Sequence, residues 1–302
     1  MAARRAERVP NWGMIRIELN IELNYLVDPQ GADFVFNIHA AHTPRQTVSA
    51  ENLTISQTVD ARVHTDPVSG NRYMRLRAAG GPLQLRYAAT VDITHYRADP
   101  ASIAEVPVHL LPPETMGYIY PSRYCQSDRL LKLAANEFGA LWQGYARVQA
   151  IRDWVTRHVA FTSNTTNANT SAVDTLIEQV GVCRDFAHLM IALCRACNIP
   201  ARFATGTDYG ADPALGPPDF HAYVEAYLGG RWYIFDASGV AMPMAFVRFG
   251  TGRDAADVAF ATIFGNVRTQ APVINAWAVE DASRGIELPH HCQQALSTDG
   301  GA

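Results

Sequence analysis

The chain is short of cysteine, of net charge and of long apolar runs, and each shortage excludes a class of protein. Five cysteines in 302 residues, an odd number with four of them after residue 182, do not make the disulfide framework of a small secreted scaffold. A formal net charge of -4, from 25 Lys+Arg against 29 Asp+Glu, offers no concentrated basic face to nucleic acid and no electrostatic pull toward anionic lipid. No stretch approaches the ~18 consecutive apolar residues of a membrane span. The opening MAARRAERVPNWGM carries two adjacent arginines but no apolar segment of the secretory kind. The expectation is a cytoplasmic protein in a reducing compartment, without a nucleic-acid or membrane partner. Residues 1–13 read as a frayed tail or as the product of an upstream start.

Apolar residues are plentiful. At 48% hydrophobic and 18% charged, the composition excludes global disorder. The length suits two domains at about 100–200 residues each. From Ile15 to Val27 every odd-numbered residue is apolar, and Arg16, Glu18, Asn20, Glu22 and Asn24 alternate with them. That period of two marks a half-buried strand. DFVFNIHAAH (33–42), LTISQTVDARV, MRLRA and LQLRYAATVDITHY supply further strands, separated by turn residues at Asp28-Pro29, Gly70-Asn71 and Gly80-Gly81-Pro82. The first half is therefore expected to be an antiparallel sandwich or open barrel over residues 14–115. His39 and His42 end one strand and read as ordinary polar residues near a turn.

After the LPPETMG interruption the period changes to that of helices. SDRLLKLAANEF is expected to be a short helix capped by Ser127. Residues 144–161 carry Val148, Ile151, Val155 and Val159 at helical spacing. Another short helix is expected at 172–179, and 183–197 is the most apolar helix of the chain, stopped before Pro200. HAYVEAYLGGRWYIFDAS then reads as a hairpin. A two-residue Gly229-Gly230 turn puts Leu228 opposite Arg231 and Tyr223 opposite Asp236. His221 and Asp236 then share a face as diagonal neighbours, with Cβ atoms roughly 7 Å apart. The fold class expected is α+β, with the second domain over 116–292.

Cys183 stands at the start of the buried helix, where free N–H groups and the helix dipole favour a thiolate. His221 can hold that thiolate as an ion pair and deliver a proton to a leaving amine. Asp236 can orient the imidazole. Gly181, Cys183, Arg184, Asp185 and His188 form a G-x-C-R-D-x-A-H run; His221 opens an H-A-Y-V-E strand and Asp236 closes a W-Y-I-F-D strand. On these motifs the chain resembles the bacterial transglutaminase-like family of the papain-like cysteine enzyme group. PSRYCQSD (121–128), GRDAADVAF (252–260) and the β-rich first half extend the resemblance over nearly the whole chain after Met14. It implies a papain-like core with an accompanying N-terminal β-rich domain, and a Cys183, His221, Asp236 triad that forms a thioester on peptide, protein or small carboxamide substrates. Hydrolysis, as in a cysteine peptidase or amidase, is the expected outcome. Transfer to an amine acceptor is one alternative, and a non-catalytic binding or assembly module is another. No metal or organic cofactor is implied. One departure is Ala237-Ser238 after the aspartate, where the family often has Pro-Thr.

The oxyanion donor is less specified. The Cys183 backbone N–H is one; Gln179, Tyr124 and Gln126 are side-chain candidates. GTDYGADPALGPPD (206–219) leads into His221 and is expected to rim the cleft, with Asp208 and Tyr209 turned toward substrate. Its Gly206-x-x-x-Gly210 lacks the Lys-Ser/Thr of a phosphate loop. Cys194-x-x-Cys197 lies inside an apolar helix without the turn that presents zinc, so both are expected to be structural thiols. His188 is expected to pack in the core. His290, His291 and Cys292 pair with nothing at a useful spacing.

Overall fold

The alternation that begins at Ile15 produces one long strand, β1 (Met14–Val27), with every odd-numbered side chain from Ile15 to Val27 buried. In the computed structural model, which describes residues 13–207, 209–212, 214 and 218–301, it is followed by β2 (Ala32–Phe36), β3 (Gln46–Ile55), β4 (Arg62–Thr65), β5 (Arg72–Ala78), β6 (Gly81–Ile93) and β7 (Tyr96–Ala98). β6 pairs antiparallel with β1 along its whole length, from Ile15 opposite Ile93 to Val27 opposite Gly81, and with β3 on its other edge. β5 lies between β2 and β4 in a second antiparallel sheet. The inward faces of both sheets share one apolar core, including Ile17, Leu19, Phe34, Phe36, Met74 and Leu85. The second strand is shorter than the run 33–42. At Asn37 the backbone N–H turns to the Phe260 carbonyl (3.0 Å) and the side-chain amide to that of Ala259 (3.2 Å), so the chain leaves the sheet.

The second half contains α1 (Leu131–Phe138), α2 (Tyr145–His158), β8 (Ala160–Phe161), α3 (Ala172–Glu178), β9 (Val180–Gly181), α4 (Cys183–Ala196), β10 (Ala201–Thr207), β11 (Phe220–Leu228), β12 (Arg231–Phe235) and β13 (Gly250–Gly252). Ser127 does not cap α1: it is buried in a separate turn of 3-10 helix, and α1 begins without a side-chain cap. α2 stops three residues early because Val159 turns extended and Ala160–Phe161 pair in parallel with Val180–Gly181. Every residue of α4 from Asp185 to Arg195 is buried, as befits a helix wrapped on all sides. At its far end Arg195 donates to the carbonyls of Ala201 (2.9 Å) and Tyr120 (3.1 Å) and to Ser122 Oγ (3.0 Å), fixing the helix against the start of β10.

The sheet β12-β11-β10-β13 is enclosed on both faces. Ala222, Val224, Ala226 and Leu228 pack in the core around α4, whereas Tyr223 belongs to the core of the sandwich. The final strands then return to the first half: β14 (Ala261–Phe264) pairs with β2, and β15 (Val267–Thr269), β16 (Val273–Val279) and β17 (Ile286–Glu287) pair with β1. Chain order places 261–287 after the second unit, but strand pairing builds them into the sheets of the first. The observed class is α+β, an antiparallel β-sheet domain joined to a mixed helix and sheet core.

Behind the enclosed sheet, four charges meet out of water. The Glu225 carboxylate, 1% exposed, accepts from Arg202 Nε (2.7 Å) and Arg248 Nη1 (3.2 Å). Asp299, just past β18 (Ala295–Ser297), accepts from Arg248 Nη2 (2.9 Å) and from Arg202. Burial opposes the charge on Asp299, but the two guanidiniums hold its carboxyl well below the ordinary range. Its stabilisation is therefore present above the usual carboxylate pKa of about 4 and is lost as pH falls through the depressed value. Glu225→Gln, which leaves two buried guanidiniums short of a countercharge, is expected to cost about 3–5 kcal/mol in urea unfolding. Asp60→Asn, in the exposed pair with Arg62, should leave the midpoint unchanged.

Candidate active site

The hairpin register follows from two glycines. Gly229 and Gly230 adopt φ of 54° and 84°, the left-handed pair of a type I′ turn, and Leu228 faces Arg231 through to Val224 facing Phe235. The ladder ends there because Asp236 turns its side chain to its own chain. Its Oδ1 accepts from the N–H (3.0 Å) and the hydroxyl (2.7 Å) of Ser238. Oδ2 lies 3.2 Å from His221 Nε2, and neither atom has another partner. Nothing in the sequence marks Ala237-Ser238 as more than a departure in the turn. In the structure Ser238 orients the carboxylate, and Thr156 on α2 donates to the Ala237 carbonyl (2.7 Å), securing the same turn.

Cys183 comes to this pair from the opposite side. It is the first residue of α4, so its N–H has no intrahelical acceptor. Its Sγ is 4.0 Å from the carbonyl oxygen of Phe220, the residue before His221. Burial pushes the imidazole pKa down. The Asp236 carboxylate and Cys183 push it up by more, to about 10. Burial likewise raises Asp236, but His221 and then Ser238 bring its carboxyl below the ordinary value. The site therefore holds an imidazolium and a carboxylate at neutral pH.

The helix tip is fastened from below. Asp185, wholly buried, accepts from the Val182 N–H (2.9 Å), Thr166 Oγ1 (3.1 Å) and Arg184 Nε (3.3 Å). Arg184 also donates to the Asn167 carbonyl (2.7 Å), tying the 162–171 loop to the start of α4. Gly181 has to be glycine, since a Cβ there would lie 2.7 Å from that of Asp185. His188 is a core residue: its Nε2 accepts from the Ala255 N–H (3.1 Å), its ring stacks on Tyr124 (5.0 Å), and burial keeps it neutral.

Tyr124 and Gln126, two of the side-chain oxyanion candidates, have contacts of their own. Tyr124 commits its hydroxyl to the Ala168 carbonyl (2.7 Å). Gln126 places Nε2 3.5 Å from the Arg123 carbonyl. Gln179, with φ 56°, ends α3, and its backbone carbonyl accepts from the Ala160 N–H (2.8 Å). Tyr209 is half-buried against the sandwich core, and its carbonyl accepts from Met242 (3.1 Å). Asp208 lies outside the described residues. Among the described residues no three His, Cys, Asp or Glu side chains cluster as metal ligands would.

Residues 133–237 match the family described as the transglutaminase-like superfamily, and residues 15–114 match the bacterial transglutaminase N-terminal domain. The crystal structure of a candidate cysteine protease from Cytophaga hutchinsonii superposes with a TM-score of 0.87 at 38% identity, covering 94% of this chain and 97% of that one. The Mycobacterium leprae protein ML0607 is 32% identical over 116 residues, 37% of this chain and 42% of its own; the chain thus spans less than half the length of this curated relative. The periplasmic domain of TgpA from Pseudomonas aeruginosa also matches, at 17% identity and a TM-score of 0.37, over 74% of this chain and 91% of that one. The cytoplasmic location expected from the cysteines does not stand. The reason is physical: Cys125 and Cys194 are fully buried, with their thiol pKa values pushed up by burial, so their reduced state carries no record of the compartment.

The charge pair sets a pH window. Stabilisation from His221, raised above its ordinary 6.5, is fully present below that value and is lost as pH rises through about 10. Asp236, lowered from 3.8, contributes above that value and loses its share as pH falls through the depressed one. In a titration followed by imidazole NMR, His221 should keep its proton past neutrality. In Asp236→Asn, burial is opposed by Cys183 alone, and the midpoint should fall. An unmoved midpoint would show that the carboxylate does not hold the proton.

Proposed function

The chain belongs to the transglutaminase-like superfamily, and from that membership we propose that it is a cysteine enzyme of acyl transfer, with Cys183 as nucleophile, His221 as acid and base and Asp236 as the group that orients the ring. The observation that supports this most directly is the convergence of a half-buried thiol at a helix start with an imidazole 3.2 Å from a buried carboxylate. The Cys183 thiolate attacks the carbonyl carbon of a carboxamide. Its negative charge moves to the oxygen, where the Cys183 N–H can donate. On collapse the C–N bond breaks, the His221 imidazolium gives its proton to the departing amine, and a thioester remains. Neutral His221 then takes a proton from water as the oxygen attacks, and the C–S bond breaks to release acid and thiolate.

Hydrolysis is the reading we prefer, supported by the cysteine-protease description of the Cytophaga protein. An amine in place of water gives transglutamination by the same first half, a reading supported by the description of the N-terminal match. Residues 14–115 are proposed as a β-rich platform beside a catalytic core that runs from residue 116. Iodoacetamide at limiting concentration should label Cys183 ahead of the buried Cys125 and Cys194, and Cys183→Ala should remove that label. His221→Ala should slow turnover of peptide and amide libraries by about 10²–10⁴-fold. Mass analysis of products with and without added primary amine separates acid from amide. Equal labelling of Cys183 and Cys194 in the folded chain would favour the non-catalytic alternative.

A further inference from the structure

Two depressions on the outer face of the first sandwich sheet belong to nothing described above. One, of about 270 Å³, lies between Glu18, Thr90 and Trp277, and the other, of about 430 Å³, between Glu22, Arg86 and Val273. Asn20, Asn52 and Ala88 line both, so the two form one groove across β16, β1, β6 and β3. The strand register dictates its floor. Asn275 faces Asn20, Asn20 faces Ala88, and Ala88 faces Asn52, a row of three carboxamides interrupted by one methyl group. Across two interstrand spacings the Asn20 and Asn52 backbones are about 10 Å apart, and between them the small Ala88 side chain leaves the space open.

The flanking rows settle the chemistry. On one side Trp277 is 41% exposed, and its Nε1 donates to Glu18 Oε2 (2.9 Å), which fixes the indole. On the other, Glu22 is neutralised by Arg86 (2.8 Å). At the rim, Glu51 is held by Arg72 and Tyr87. The carboxylates are thus engaged, whereas the exposed carboxamides of Asn20, Asn52 and Asn275 take part in no side-chain hydrogen bond among the described residues. A polyanion would meet acidic side chains here, and an apolar helix would bury free amides. A sugar ring has what both lack: adjacent hydroxyls that a carboxamide can serve as donor and acceptor at once, and a C–H face that packs on indole.

We propose that this groove binds a neutral saccharide chain, independently of the chemistry at Cys183. The test titrates the full chain with cellohexaose, xylohexaose, maltohexaose and chitohexaose, reading the Trp277 indole and asparagine side-chain amide resonances by NMR. At least one hexasaccharide should shift the Trp277, Asn20, Asn52 and Asn275 signals. Trp277→Ala and the double substitution Asn20→Ala/Asn52→Ala should each weaken binding about tenfold or more. Ala88→Arg, which fills the floor, should abolish it, with thermal midpoint and Cys183 alkylation unchanged, and Cys183→Ala should bind as the parent does. The proposal is overturned if none of the four sugars moves these signals at about 10 mM. It is equally overturned if binding survives all three groove variants, or if an uncharged peptide moves the signals and no sugar does.

Discussion

An imidazolium and a carboxylate 3.2 Å apart, both shut away from water, are the interaction on which the site depends. Either ion alone at that position would be forced to neutrality by desolvation. Together they hold each other charged. The arrangement requires the ring to be clamped, and the sheet supplies the clamp. Gly206 stands opposite His221, where a Cβ would lie 2.7 Å from the Val247 carbonyl, and Phe246 packs on the ring at 5.0 Å. Ser238 fixes the other oxygen of the carboxylate. Few degrees of freedom remain for the pair to separate.

Two cores meet at the strand that carries the histidine. The apolar face of β11 belongs to the helical core, and the other face looks to the sandwich through Tyr223 and to the buried charges through Glu225. The β-rich half is therefore part of the wall behind the site and not an appendage. The same holds for the far end of the chain, because Asp299 closes the charge network that Glu225 opens.

Much of this was legible in the sequence, and the reasons are local. β1 announces itself by alternation, α4 by its apolar length, and the hairpin by two glycines that set which residues face one another. From that register alone His221 and Asp236 fall on one face. The motif around Cys183 then suggests what they face. The missed features depend on contacts distant in sequence. Asn37 leaves its strand for Phe260; Ile274, Ala276 and Ala278 alternate inward, but the pattern is short and small-residued and does not say that its partner is β1, about two hundred and fifty residues earlier. Ser127 looks like a cap and is a buried turn residue. Ser238 and Thr156 carry no motif, and their role emerges only once the turn after Asp236 is in place. The Tyr124 hydroxyl, one of several oxyanion candidates, reaches a loop carbonyl at Ala168 that no motif announces.

The pairing of β16 with β1 has a temporal consequence. A ribosome delivers β1 about two hundred and fifty residues before β16, so the growing chain carries one edge of its first sheet unpaired while those residues are made. That exposed ladder is a template for unwanted strand addition. The sandwich, and with it the wall behind the histidine, can be completed only once β16 has been made. Completion of that wall is thereby tied to the arrival of β16, and a nascent chain stopped before it carries Cys183 and His221 without that support.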